Sequence, residues 1–571
     1  MMEKWIDSQV FAPIDYFFAK TILSLYKEKT HGVFLAYLLA MGRSGHLCVE
    51  VSEGKVTPSP SFLTEDPELA MILEKELVEF FPSIPSSFCH KISKGNSLPK
   101  VPLYLWENRL YFQRNWELEE SFLFHLERIQ KGHLQKTITS PQFNKMLNNE
   151  QITAVTKALE SPISLISGGP GTGKTFTAIE IVSSFLLAFP EEKRKKLRIK
   201  LAAPTGKAAA ILEKNIMERL SGLFSNIECG TIHSFLKMGS YEEGKSLFAD
   251  LFLIDESSML DAKLFVQFLE GLQTGGRVIF MGDKDQLPPV EAGGFFSDLI
   301  AVSEEIALPV TLLKKSLRVE KQELQDLAEA LLSVDVERVK EQEGVEILPK
   351  NSLSAVRERV WMECKSAFSF FMKECSETNL LDALKKVEKF RVLSCMRKGF
   401  LGVDHLNRMV LERFLSELQE DQFLVCPILI TANDTARQLM NGDIGFLCAK
   451  ASSLKRSLYQ SCDRAFFLNK EDSADLIKFR EISATILPSF EFAYCLSVHK
   501  SQGSEYESVL VLAPSGSERL GKEVLYTAVT RAKKKVKVLI EENTLVSLLG
   551  KSSKKISGVQ KKLSGKGILF R

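Results

Sequence analysis

Short apolar runs alternate with helically spaced apolar positions through most of this chain. Between residues 143 and 320 the runs fall at 163–167, 199–203, 251–254 and 278–281, with helical patterns between them. Such alternation predicts a parallel sheet covered by helices on both faces. A charged, helix-like stretch follows at 321–390. A second set of runs at 391–395, 427–431, 492–498 and 509–513 predicts a second α/β domain within 321–545. The less regular segment at about 445–490 reads as a small β insertion. No repeat of solenoid period is present.

Residues 1–135 follow a different pattern. They are rich in Phe, Tyr, Trp and Leu, and Val101-Pro-Leu-Tyr-Leu followed by Asn108-Arg-Leu-Tyr-Phe predicts two strands around a turn. This region reads as a separate amino-terminal domain, joined through a Thr-, Ser- and Pro-containing linker near 136–142. After Leu545 the chain holds seven Lys and Arg and no acidic residue, so 546–571 is expected to be a basic, solvated tail, with a DNA or partner contact as the alternative reading.

Composition narrows the picture only a little. The chain has 571 residues, which implies several domains, and its 45% hydrophobic and 26% charged content is ordinary for a globular protein. A net charge of +2 means that any nucleic-acid contact must use local basic grooves. The ten cysteines include no C-x-x-C pair, which predicts buried thiols in a reducing compartment rather than disulfides or zinc. No signal-peptide core follows the first residues, and the apolar run at 33–41 falls well short of the ~20 residues that span a bilayer. A cytoplasmic protein without membrane contact is expected.

The chemistry begins at the end of the run 163–167. There Gly168, Gly169, Pro170, Gly171, Thr172 and Gly173 precede Lys174 and Thr175, satisfying G-x-x-x-x-G-K-[ST] between a strand and a helix. Bare amides and a helix N-terminus at this point cradle phosphate. Lys174 is placed to reach the β and γ phosphates of ATP, and the Thr175 hydroxyl to ligate Mg²⁺. The run 251–254 ends in Asp255 and Glu256. Asp255 is expected to hold the Mg²⁺ shell and Glu256 to act as general base toward water. Taken alone, Asp255 before two serines could also be a helix cap. The two motifs together specify an NTPase and no finer class.

The remaining motifs resemble superfamily 1 helicases of the 5′-to-3′ branch. They are Ala203-Pro-Thr-Gly-Lys-Ala-Ala209, Thr231-Ile-His233-Ser, Gly282-Asp283-Lys-Asp-Gln286-Leu-Pro-Pro-Val290, Val498-His499-Lys-Ser-Gln502-Gly503-Ser-Glu505 and Tyr526-Thr-Ala-Val-Thr-Arg531-Ala. The resemblance implies that Gln286 senses the γ-phosphate and that Arg318 and Arg531 stabilise charge from the second motor domain. It also implies that Gln151 reads adenine and that Gly503 touches the nucleotide. Thr205, His233, Thr431, Asn433 and His499 are the implied contacts to single-stranded DNA.

Segments outside these motifs are similar to the RecD family, the alpha subunits of bacterial exodeoxyribonuclease V. They include His31-Gly-Val-Phe-Leu-Ala, Arg109-Leu-Tyr-Phe-Gln-Arg114-Asn-Trp116, Gly399-Phe-Leu-Gly402-Val-Asp-His-Leu-Asn407 and Asn441-Gly442-Asp443-Ile-Gly445. The implied fold is α/β, with two RecA-like P-loop motor domains, an amino-terminal interaction domain and a small SH3-like β insertion. The implied partners are RecB and RecC, in a complex that unwinds and degrades DNA from double-strand ends during recombinational repair. No carboxylate-and-lysine nuclease pattern is present, so this chain is expected to translocate without cutting. A standalone RecD-like helicase and an ATP-gated scaffold that no longer unwinds are the competing readings.

Overall fold

The computed structural model describes residues 3–64, 66–92, 99–134, 138, 144–220, 226–240, 247–315, 322–349, 352–368, 371–372, 377–434, 436–469 and 478–566. Its first parallel sheet has six strands in the order Val310–Leu313, Ile163–Gly168, Arg277–Gly282, Leu251–Ile254, Ile199–Ala203, Ile227–Thr231. All neighbours run parallel. Alternate residues feed two separate cores: Leu165, Phe252 and Phe280 pack on one face, and Ile166, Leu253 and Ile279 on the other. Burial on both faces explains why these strands read as unbroken apolar runs. The outer strands Ile227–Thr231 and Val310–Leu313 are only partly buried and carry polar positions, so no apolar run announced them.

The second parallel sheet has five strands, ordered Val345–Leu348, Ala532–Glu541, Tyr506–Ala513, Phe390–Ser394, Cys495–Ser497. Two of the expected strands belong elsewhere. The run at 427–431 lies in Phe423–Ile430, which pairs antiparallel with Ile444–Lys450 in another sheet. The run at 492–498 is divided: Phe490–Phe492 joins that antiparallel sheet, and Cys495–Ser497 joins the parallel one. Phe423–Ile430 is buried along nearly its whole length, so its pattern cannot be told from that of a central parallel strand. The antiparallel sheet continues through Arg464–Leu468 and Phe479–Ser483, with Phe371–Met372 at its far edge. It therefore draws on residues well outside 445–490. It shares one hydrophobic core with a face of the second parallel sheet, through Leu424, Ile428, Phe446, Leu510 and Leu512.

At the amino end, the two strands expected around the 106–108 turn are Leu103–Trp106 and Arg109–Phe112, paired antiparallel. They sit within a five-stranded sheet backed by the helices Pro13–Leu25, Gly32–Arg43 and Pro67–Phe80. The helix Gln113–Gln130 leaves this domain and packs on the first motor. Phe122 contacts Phe265 and Phe295 at ring-centroid distances of 5.4 and 4.2 Å, and Arg128 donates to the Leu269 carbonyl at 2.7 Å.

The expectation of a solvated carboxyl-terminal tail is corrected. From Lys551 the chain crosses three parts of the molecule. Ser552 and the Ser553 amide donate to Glu523 in the second motor at 2.6 and 2.9 Å. The Ile556 amide donates to His46 Nδ1 at 3.0 Å and its carbonyl accepts from Leu47 in the amino-terminal domain. Ser557 and Gln560 then donate to Asp298 in the first motor at 2.6 and 2.8 Å. The helix Val559–Lys566 follows. Two of the lysines that suggested a solvated end find carboxylates instead: Lys561 pairs with Glu107 at 2.5 Å, and Lys562 with Glu119 and Glu120 at 2.9 and 3.0 Å.

Candidate nucleotide and DNA site

The glycine-rich loop leaves the strand Ile163–Gly168 and enters the helix Lys174–Leu187. Gly171 and Gly173 have φ of 78° and 84°, a region closed to most side chains. A Cβ on Gly168 would lie 2.5 Å from Thr172 Oγ1 and 2.9 Å from Leu313 Cβ, so the loop closes only with glycine there. Lys174 begins the helix, with Thr175 beside it, and its ammonium donates to the carbonyls of Gly168 and Gly169 at 2.6 and 3.2 Å.

Asp255 and Glu256 follow the strand Leu251–Ile254, as expected. The Asp255 carboxylate accepts from the Glu256 amide at 2.9 Å, and Glu256 adopts φ 51°. Burial pushes both carboxyls up. For Asp255 the Lys174 charge opposes that rise. For Glu256 the neighbouring Asp255 adds to it, while Arg531 and Lys174 oppose it. The structure thus brings a base from the first motor and an arginine from the second into one electrostatic neighbourhood.

A cleft of about 1000 Å³ lies over this centre, between the motors. Gly168, Gly169, Pro170, Thr172, Asp283, Glu505, Tyr526 and Lys533 are among the residues lining it. Gln286 is buried behind the cleft-lining Asp283, to which it donates through Nε2 at 3.2 Å, leaving Oε1 without a partner. Arg531 is buried too, donating to the carbonyls of Thr527 and Ser504 at 3.1 and 3.4 Å. Gln151 lies at the start of the helix Asn149–Glu160, where its Oε1 accepts from the Asn148 amide at 3.1 Å. Its Nε2 is buried without a partner. Arg318 lies outside the described residues.

The expected DNA contacts are less uniform. Thr205 caps the helix Gly206–Leu220, accepting from the Ala208 amide at 3.2 Å. A Cβ on Gly503 would stand 3.5 Å from Ala208 and 3.9 Å from the Thr205 hydroxyl, so Gly503 packs on this helix start and is not among the cleft-lining residues. A Cβ on Gly206 would similarly stand 3.9 Å from Met440, in the turn where Asn433 Oδ1 accepts from the Asn441 amide at 2.7 Å. Thr205, Gly503 and the 433–441 turn are thereby brought together across the motor seam. Thr431 is held by Ser489 at 2.9 Å. His233 is exposed on the helix Ile232–Ser240, away from any contact that ties it to this group. His499 is half-buried and held below its ordinary range, first by burial and then by the Lys555 charge.

Sequence reasoning named the motifs but missed several residues within them. Lys207 donates to the Ser504 hydroxyl at 2.8 Å, and the Leu287 amide to the Thr527 hydroxyl at 2.8 Å. Both bonds cross from one motor to the other. Each of these residues stood inside or beside a quoted motif, yet a string alone shows no bonding partner.

Residues 146–351 match the AAA domain family, and residues 492–539 match the UvrD-like helicase C-terminal domain. Over 99% of this chain and 99% of that protein, the sequence is 27% identical to RecBCD enzyme subunit RecD of Haemophilus influenzae. Along nearly its whole length the chain is similar to RecD subunits of RecBCD enzymes. It is an ATP-dependent DNA helicase by class, with a P-loop ATPase centre. The ATP-dependent RecD2 DNA helicase of Deinococcus radiodurans is 28% identical over 68% of this chain and 48% of its own length. Pif1 helicase from Candida albicans has a solved structure that covers 74% of this chain and all of that one, at 17% identity and a TM-score of 0.38. Among the described residues no helix is long and apolar enough to cross a membrane. Nine described cysteines are free thiols, most of them buried, as the spacing had implied.

Proposed function

We propose that this chain is the RecD-type subunit of a RecBCD-type complex, translocating 5′ to 3′ on single-stranded DNA and unwinding duplex ends with RecB and RecC. The observation that carries the motor reading is the shared neighbourhood of Glu256 and Arg531 beside the P-loop. The subunit reading is supported by full-length similarity to a RecBCD subunit, against half-length similarity to RecD2. The amino-terminal domain is the proposed docking element for the partners.

In this reading ATP lies in the cleft with its phosphates on the loop 168–173. Lys174 turns from the loop carbonyls to the β and γ oxygens. The unpartnered Gln151 amide suits an acceptor on adenine. Asp255 and Thr175 offer the carboxylate and hydroxyl oxygens that suit Mg²⁺, which supplies charge neutralisation on the phosphates. Glu256 takes the proton of the attacking water, and the Arg531 and Lys174 charges oppose the rise that burial and Asp255 impose on its carboxyl. Arg531 also faces the charge that spreads over the transferring phosphoryl group, and Arg318 is the proposed second arginine. Gln286 is the proposed γ-phosphate sensor, through the Nε2 donor that is held on Asp283 here. Thr205, His233, Thr431, Asn433 and His499 contact the strand. Because hydrolysis requires both motors, opening and closing of the cleft moves those contacts relative to each other.

The test is unwinding of duplexes bearing a 5′ or a 3′ single-stranded tail, beside a Lys174→Gln control. ATP-dependent unwinding from the 5′ tail alone, lost in the control, is the expected result. No unwinding by the chain or after addition of RecB and RecC would overturn the reading in favour of a scaffold.

A further inference from the structure

Arg531 follows just after the helix Lys522–Val529, and two residues of that helix reach across the seam. The Tyr526 hydroxyl donates to Asp283 Oδ2 at 3.0 Å. The same oxygen accepts from Gln286 Nε2 at 3.2 Å, while Asp283 Oδ1 accepts from the Asp285 amide at 3.1 Å. The phenol oxygen also overhangs the phosphate loop, since a Cβ on Gly169 would lie 3.0 Å from it. One residue on, the Thr527 hydroxyl is bound by the Leu287 amide, and the Thr527 carbonyl accepts from Arg531 Nε.

A buried tyrosine hydroxyl needs an acceptor wherever it lies. Here the acceptor belongs to the other motor, and its oxygen is shared with Gln286. A carboxylate oxygen shared by two donors has a position fixed by both, so displacement of one donor alters the bond to the other. The short path from Tyr526 through Thr527 to the Arg531 guanidinium then runs along one helical turn.

We infer that Tyr526 is a positioning residue for ATP hydrolysis: its hydroxyl reads the Gln286–Asp283 pair and so sets where Arg531 stands in the closed cleft. The inference rests on the roles proposed above for Gln286 and Arg531. A change at the phosphate end of Gln286 is passed through one carboxylate to the helix that carries the arginine. Tyr526 does this without touching the reacting atoms, so its loss affects the closed, hydrolysing state more than nucleotide binding.

The experiment is steady-state ATP hydrolysis by the purified full chain with saturating single-stranded DNA, comparing wild type, Tyr526→Phe, Asp283→Asn and the double variant. Tyr526→Phe keeps the ring and removes only the hydroxyl. Its kcat is expected to fall about tenfold with the KM for ATP within about twofold, and the thermal midpoint unchanged. The double variant is expected to be no worse than the poorer single one, because both remove the same link. If Asp283→Asn does not fold, Gln286→Ala takes its place in the cycle. A Tyr526→Phe kcat within about twofold of wild type, a raised KM at unchanged kcat, or fully additive losses would each overturn the inference. Absence of hydrolysis by the wild type would overturn the parent reading as well, whereas an active wild type with an unaffected Tyr526→Phe removes this inference alone.

Discussion

The Lys562 ammonium stands 3.3 Å from the centroid of the Trp116 ring, and the rings of Tyr111 and Trp106 lie at 5.2 and 5.7 Å. Glu119 and Glu120 complete the enclosure at 2.9 and 3.0 Å. The Glu119 contact is an ion pair by distance, without the alignment of a hydrogen bond. The lysine comes from the carboxyl-terminal helix, and all three rings from the amino-terminal domain and the helix that follows it. Aromatic faces and a carboxylate together make such a socket selective for a cation.

Lys562→Ala removes the cation that faces the fully buried Glu119 carboxyl. Burial already holds Glu119 above its ordinary range, with Lys562 the main charge opposing that rise. The expected loss of stability at pH 8 is about 3–5 kcal/mol by denaturant unfolding, and it shrinks toward lower pH as Glu119 takes a proton. Adding Glu119→Gln should recover part of the loss. A loss below about 1 kcal/mol at pH 8 would mean that the socket is not an electrostatic unit.

His46 gives the carboxyl-terminal segment a pH dependence. Burial, followed by the nearby Lys555 charge, lowers its pKa from 6.5 to about 3, and its Nδ1 accepts the Ile556 amide. The folded ring therefore stays neutral where the unfolded one takes a proton. Stability from this group is complete above pH 6.5 and is lost as pH falls from there toward about 3. Between pH 7.5 and 5, wild type should lose about 2 kcal/mol that a His46→Gln chain retains. Asp298, raised to about 6 by burial, works in the opposite sense, because its protonated form favours the fold as pH falls below about 6. Comparison with His46→Gln isolates the histidine. Parallel pH curves for the two proteins would refute its assignment.

Glu256→Gln and Lys174→Gln should separate chemistry from binding. The first is expected to lower ATP hydrolysis by at least about 100-fold while a fluorescent ATP analogue still binds. The second should lose hydrolysis and weaken binding together. Residual hydrolysis in Glu256→Gln within about tenfold of wild type would move the general base elsewhere.

Gln151→Ala tests the base-reading role. The KM for ATP should rise about tenfold and the KM for GTP much less, because the paired amide oxygen and NH2 match the N6 amino group and N7 of adenine, whereas guanine offers two acceptors there. Equal rises would assign Gln151 to the helix cap that it already forms with Asn148.

The motor centre was legible in the sequence because its parts are local. A phosphate loop is one strand, one turn and one helix start, so the run 163–167, the glycines and Lys174 already contained its geometry. The pair Asp255–Glu256 was likewise fixed by the end of one buried strand. Polar or partly buried edge strands such as Ile227–Thr231 carried too little apolar signal, and Phe423–Ile430 carried too much to reveal its antiparallel partner.

What the sequence determined by itself is the chemistry that contiguous residues perform: phosphate binding, the carboxylate pair and the repeated strand–helix rhythm. Only the tertiary structure decided which motor supplies each partner. Tyr526 meets Asp283 across 243 positions, and Lys207 meets Ser504 across 297. The same holds for the tail, whose Lys561 and Lys562 read as solvated until Glu107, Glu119 and Glu120 were placed against them. Periodicity and motif spacing report on a residue's neighbours along the chain. Contacts between charges and donors on distant segments depend on how the packed domains meet, and no local pattern encodes that.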